Sequence, residues 1–217
     1  MSSDRTPFLV IISAPSGCGK TTLIKSLLEN DTLLKLSISY TTRLPRPNEV
    51  DGEDYFFVDE KRFKSMISAG EFLEWAQVHG NYYGTSFQQI DCFFNQGYDV
   101  ILDIDVQGRS KIIASAQISL DQIVSIFILP PSFTELERRL KNRSTESDAA
   151  IALRLGAALE EMKGAFVYDY LVFNDRISRA LNELRSIVIA ERLRSFRQLN
   201  DYTRLLNSKL SYDQGGC

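Results

Sequence analysis

One stretch restricts the fold of this chain more than any other: Phe-Leu-Val-Ile-Ile-Ser-Ala-Pro-Ser-Gly-Cys-Gly-Lys-Thr-Thr at residues 8–22. The apolar, β-branched run from Phe8 to Ile12 reads as a buried strand. Ala14, Pro15, Ser16, Gly17, Cys18 and Gly19 form a loop of small residues. Lys20-Thr21-Thr22 then opens a segment with Leu23, Ile24, Leu27 and Leu28 at helical spacing. Strand, glycine-containing loop, Lys-Thr and helix make a P-loop. Successive loop N–H groups, at the positive end of the helix dipole, wrap a polyphosphate. Lys20 can reach the β- and γ-phosphates, and the Thr21 hydroxyl can ligate Mg2+. The pattern ordinarily begins with glycine. Ala14 stands there instead, so the first turn must be reachable without the backbone freedom of glycine.

A chain of 217 residues, 44% hydrophobic and 24% charged, can bury a substantial core as one domain with small insertions. Its net charge of −3 argues against non-specific nucleic-acid binding. Cys18, Cys92 and Cys217 are too few and too irregularly spaced for a disulfide framework or a zinc site. The N-terminal apolar run is short and broken by Pro15, as a core strand is and a signal peptide is not. No stretch approaches the roughly 18 apolar residues of a membrane span. A cytoplasmic protein without membrane association or an obligate protein partner is expected.

Beyond a first helix at about 20–29, Leu36 to Tyr40 alternates as a short strand. The polar stretch from Ser39 to Val58 follows, in which Pro45 and Pro47 hold an extended backbone around Arg43 and Arg46. Two arginines beside a phosphate site suggest a second anion cradle; a solvated loop is the alternative. Asp59 caps a helix to about Ala69, and Phe72 to Val78 is a strand with Glu74 among apolar neighbours, where a carboxylate needs a partner or ligand. Tyr82-Tyr83-Gly84-Thr85 reads as a turn into a helix at 86–96, and His79 before it as a surface residue. The strand from Tyr98 ends in Asp103 and Asp105, placed for a Walker-B-like role near metal and substrate or simply solvated at the strand end. Ile123 to Leu129 is a third apolar strand. Ser132-Phe133-Thr134-Glu135 has the form of a capping box, and Asp148 can cap a helix at about 149–163. Between them Arg138, Arg139, Lys141, Arg143 and Arg154 make a basic, poorly apolar helix-loop-helix, suited to a lid over phosphates or to a solvated hairpin. A strand at Tyr170–Phe173, a long helix from Ile177 to about Leu199 and a disordered tail from Ser208 complete the chain. Strands alternating with helices predict an α/β fold: a P-loop core with a mainly parallel sheet flanked by helices, plus two insertions.

A triphosphate loop, a second arginine cradle and an arginine-rich lid suggest phosphoryl transfer between two nucleotides with water excluded. Ser39-x-x-Thr-Arg43-x-x-Arg46 running to Gly52-x-Asp54-Tyr55, Phe72-x-Glu74-Trp75-Ala76, Tyr82-Tyr83-Gly84-Thr85 and Ile101-Leu102-Asp103-Ile104-Asp105-x-Gln107-Gly108 together resemble the guanylate kinase family, in the right order over nearly the whole chain. The resemblance implies transfer of the γ-phosphoryl group of ATP to GMP, with Mg2+. It implies that Arg43, Arg46, Tyr55 and Tyr83 bind the GMP phosphate, that Ser39, Glu74 and Thr85 meet guanine, and that Asp103 and Asp105 lie near substrate and metal. Residues 14–22 and Asn174 would hold ATP, Thr21 and Asp103 the metal, and Lys20, Arg43, Arg139, Arg143 and Arg154 the transferred charge. The implied division is a core of 1–36, 91–130 and 154–207, a nucleoside-monophosphate-binding insertion of 37–90 and a helical lid of 131–153. The chain departs from the family at Ser144, where glycine is usual, and at Arg176, where an acid is common. A family-like binding module without catalysis is the rival reading. Such modules tend to lose the P-loop and phosphate residues that this chain keeps.

Overall fold

The computed structural model describes residues 5–78, 80–143 and 148–213. The first half contains β1 (Leu9–Ser13), α1 (Lys20–Glu29), β2 (Leu34–Leu36), β3 (Tyr40–Thr41), β4 (Phe56–Phe57), α2 (Glu60–Ser68), β5 (Phe72–Val78), β6 (Asn81–Ser86) and α3 (Phe87–Asn95). The second contains β7 (Asp99–Asp103), α4 (Val106–Ser115), β8 (Ile123–Leu129), α5 (Phe133–Arg143), α6 (Asp148–Lys163), β9 (Tyr170–Phe173), α7 (Ile177–Arg192) and α8 (Leu199–Asp213).

The near-continuous apolar strands must be covered on both faces, and this sets the core. β1 is buried at every residue and lies mid-sheet in the order β2-β7-β1-β8-β9, all parallel. Its pleat sends Val10 and Ile12 to one face, against Leu23 and Leu27 of α1 and Leu184 and Val188 of α7. Leu9 and Ile11 go to the other, against Ile90 of α3 and Ile112 of α4. Successive chain segments run to opposite sides of β1, so its C-terminal end opens the crevice in which α/β sheets bind ligands. A second sheet, β4-β3-β6-β5, is built from the insertion and has its own cluster of Phe63, Met66 and Phe72.

Four expectations change. Leu36 to Tyr40 is not one strand: Leu36 pairs with Ile101 in the core sheet, and Tyr40 with Phe56 and Gly84 in the second. The chain crosses over at Ser37 and Ile38, where Gln89 Oε1 accepts from Ser37 Oγ at 2.8 Å and Ile38 N–H at 2.6 Å. Tyr82 to Thr85 is strand and not turn, paired along β5; the reversal precedes it, with Gly80 at φ 81°. Helix α7 stops at Arg192, because burying Arg197 over the Phe8 ring at 4.3 Å and joining its carbonyl to Thr6 N–H at 2.9 Å folds the chain back. The backbone beyond Ser208, expected to be disordered, is helical as far as Asp213. At the opposite edge from the crevice, fully buried Asp99 accepts from Arg5 at 2.6 and 2.7 Å, Arg192 at 2.7 Å and Phe8 N–H at 3.2 Å. No described helix is long and apolar enough to cross a membrane.

Candidate active site

The loop after β1 turns on two glycines in the left-handed region, Gly17 at φ 91° and Gly19 at φ 86°. A Cβ at Gly19 would also stand 2.6 Å from Asn174 Nδ2. Ala14 does without glycine: among the described residues Asn48 and Ala116 are the only non-glycines at positive φ. Buried Asn174 donates from Nδ2 to the Cys18 carbonyl at 2.7 Å, so it braces the loop from β9. Burial pushes the Cys18 thiol up to about 12, which makes it an inert packing group and not a reactive one. Lys20 Nζ lies 2.5 Å from Asp103 Oδ1, across the end of the neighbouring strand β7.

Helix α5, in the segment expected to form a lid, is tied to the core through Leu136 and Leu140, which are fully buried in the main cluster and both stand over Gly17. Half of the expected capping box forms, Glu135 N–H donating to Ser132 Oγ at 3.1 Å. The Glu135 carboxylate turns to Arg138 at 2.7 Å and Arg139 at 2.8 Å, and their guanidinium groups lower its carboxyl to about 2. Arg139 donates further to the Asn174 carbonyl at 3.1 Å. Arg154 of α6 donates to Ser16 Oγ of the loop at 2.6 Å. Gly17, Gly19, Thr22, Arg139 and Asn174 thus border one cleft of about 340 Å3. The side chain of Arg143, the Ser144 departure, the capping side chain of Asp148 and His79 lie outside the described residues.

A second cavity of about 280 Å3 lies across Asp103 from the loop, lined by Ser39, Tyr55, Glu74, Tyr83, Asp103 and Asp105 with Ala76, Val78 and Ile104. Glu74 is 8% exposed and accepts from Thr85 Oγ1 at 2.8 Å, its cross-strand partner. Burial raises its carboxyl above the usual range, with the Thr85 hydrogen bond opposing. Asp105 Oδ1 accepts from Gly108 N–H at 2.8 Å and caps α4. Arg43 stands over the Tyr55 ring at 5.4 Å, while Arg46 is exposed on the same loop. The sequence reading missed Glu49, whose carboxylate meets Arg43 at 2.9 Å; an acid closing a loop of alternating Arg and Pro was the available signal. It also missed half-buried Glu161 of α6, raised mainly by burial and within electrostatic reach of Lys20 and Asp105. A larger groove of about 850 Å3 lies along β9 and α7 and shares no lining residue with either cradle.

Among the described residues, no three His, Cys, Asp or Glu side chains gather into a metal cage. A Thr21 hydroxyl and a single carboxylate, Asp103, match the oxygen donors by which Mg2+ is held when nucleotide phosphates complete its shell.

A parallel P-loop sheet whose central strand end faces a second polar cavity, carried on an inserted sheet, defines the class of nucleoside monophosphate kinases. A family model described as guanylate kinase matches residues 6–191. The chain is 49% identical over 199 residues to the guanylate kinase of Geobacter metallireducens, covering 92% of this chain and 96% of the relative. It is 48% identical over 205 residues to that of Escherichia coli strain K12, covering 94% and 97%. The crystal structure of guanylate kinase from Anaplasma phagocytophilum is similar with a TM-score of 0.72 at 32% identity, over 89% of this chain and 90% of that chain. The chain belongs to the guanylate kinase family.

Proposed function

We propose that the protein transfers the γ-phosphoryl group of ATP to GMP, giving ADP and GDP, with Mg2+. The carrying observation is the position of Asp103, which pairs with Lys20 of the loop and also lines the second cavity, so the two cradles meet at one carboxylate. On this reading residues 14–22 hold the ATP phosphates, and Lys20 exchanges Asp103 for the β- and γ-phosphates. Thr21 and Asp103 hold the ion, which when bound neutralises phosphate charge.

In the acceptor cavity Glu74 takes the N1–H and N2–H2 donors of guanine, with its carboxylate aimed by Thr85, and Ser39 supplies a hydroxyl. Arg43, Arg46, Tyr55 and Tyr83 receive the GMP phosphate, and Asp105 lies beside the nucleoside. Arg139, fixed by Glu135 and the Asn174 carbonyl, joins Arg154 and Arg143 in meeting the charge spread over the transferred group. No covalent intermediate is needed. Residues 37–90 act as the acceptor-binding insertion and 131–153 as the lid that excludes water. Retention of Lys20, Arg43 and Arg46 supports catalysis over a binding module.

The test is ADP formation from ATP and Mg2+ with GMP, AMP, CMP, UMP or no acceptor. Turnover with GMP alone is expected. Equal ADP without acceptor would make the protein a hydrolase, and none with any acceptor would make it a binding module.

A further inference from the structure

The acceptor loop carries a carboxylate that none of these roles uses. Glu49 Oε1 accepts from Arg43 Nη2 at 2.9 Å, and Oε2 accepts from the Arg46 backbone N–H at 2.7 Å. One side chain therefore ties the guanidinium of the first arginine to the main chain of the second. The backbone is shaped for this: Asn48 sits at φ 72°, and Glu49 N–H returns to the Arg46 carbonyl at 3.1 Å. Arg43 is gripped on its other sides as well. Its Nη1 donates to the Leu44 carbonyl at 2.7 Å, and its plane stands over Tyr55 at 5.4 Å and Phe57 at 5.8 Å. A guanidinium has five N–H donors, so one to Leu44 and one to Glu49 leave donors for an anion. Arg43 and Glu49 are both mostly shielded, with side chains 15% and 17% exposed.

We propose that Glu49 is a positioning residue, whose carboxylate holds the Arg43 guanidinium and the Arg46 backbone in the geometry that receives the acceptor phosphate. The inference rests on the reading above that Arg43 binds the GMP phosphate. A flexible arginine loses rotamer freedom when it binds; one already held by two acceptors and two rings loses less. The hydrogen bond from Arg43 keeps the Glu49 carboxyl below its ordinary range, so the staple stays charged at neutral pH.

The experiment is calorimetric titration of the whole chain with GMP and with guanosine, for the parent protein, Glu49→Gln, Glu49→Asp, Arg43→Met and the Arg43→Met/Glu49→Gln double variant. Guanosine has no phosphate, so it reports on the base site and on the fold of the insertion. Glu49→Gln should weaken GMP about tenfold and guanosine by less than about twofold. Glu49→Asp, which keeps the charge, should retain more GMP affinity than Glu49→Gln. In the Arg43→Met background Glu49→Gln should add clearly less than its tenfold, since only the hold on the Arg46 backbone is then left to lose. Tighter or unchanged GMP binding by Glu49→Gln overturns the inference, tighter binding being the mark of a carboxylate that competes with phosphate. Equal weakening of GMP and guanosine overturns it too, because the loss is then one of fold. If Arg43→Met leaves GMP binding unchanged, the acceptor-site reading itself fails and takes this inference with it.

Discussion

Replacing Glu74 by glutamine keeps the shape of the side chain and changes its hydrogen-bonding character. Glu74 is 8% exposed, and its Oε1 accepts from Thr85 Oγ1 at 2.8 Å. The amide retains one acceptor and turns the other into a donor that opposes the N1–H and N2–H2 donors of guanine. A hydrogen bond to a charged group contributes about 1.5–3 kcal/mol, and a buried donor left unpaired costs about 1–3 kcal/mol. Together these give a loss of about 3 kcal/mol, or about a hundredfold in kcat/KM for GMP. Adenine, which presents a lone pair at N1, is relieved of the carboxylate, so discrimination between GMP and AMP should fall by at least that factor. Stability should move the other way. Burial raises the folded-state carboxyl above its unfolded value, so ionisation at neutral pH opposes folding, and the opposition fades as pH falls through that raised value. Glu74→Gln should therefore melt at the same temperature or higher. On the acid side the parent kcat/KM for GMP should fall more steeply than that of the variant, which keeps only the titration of the GMP phosphate common to both. Coupled ADP assays with both acceptors from pH 4.5 to 8, with thermal melts, check all three. A GMP-over-AMP preference within about threefold of the parent, or a variant that loses activity only because it unfolds, refutes the argument.

Lys20→Ala should lower turnover by about a hundredfold or more, since it removes the side chain that pairs with Asp103 and reaches the phosphates; turnover within a factor of ten of the parent refutes that role. Asp99→Ala removes a fully buried carboxylate from Arg5 and Arg192 and should cost about 3–5 kcal/mol in urea unfolding. A loss below about 1 kcal/mol would mean the arginines re-solvate at no cost. Under native alkylation at pH 8, exposed Cys92 should label and Cys18 should not, its thiol standing near 12; peptide mapping that finds Cys18 labelled at the rate of Cys92 contradicts its burial.

The parts of the fold legible in the sequence are those where one local signal suffices. β1, the glycine loop and α1 follow from an apolar run, small residues and helical spacing, and Asp59 caps α2 through the Arg62 N–H as expected. What escaped depends on partners distant in sequence. Leu36 and Tyr40 look continuous, and only their pairing with Ile101 on one side and Phe56 on the other divides them. Tyr82-Tyr83-Gly84 carries turn-like residues, yet Gly84 is there because a Cβ would meet the Phe72 ring at 2.9 Å. The end of α7 is set by Arg197 reaching Phe8. In the site, the residue types of the acceptor cavity were legible as a motif, whereas the brace from Asn174 to Cys18 and the staple at Glu49 are matters of reach that spacing does not encode.

The inserted sheet has a cluster of its own, Phe63, Met66 and Phe72, and Leu73 extends from it into the core beneath β1 and β7. A small body with its own apolar centre can open without dissolving the large one, so α2, β5 and β6 should form a distinct cooperative unit in hydrogen exchange, below the global unfolding energy. A nucleotide lodged between Glu74 on this body and Asp103 on the other touches both. Occupancy should merge the two exchange units into one, so the acceptor would act on the molecule as a cross-link as well as a substrate.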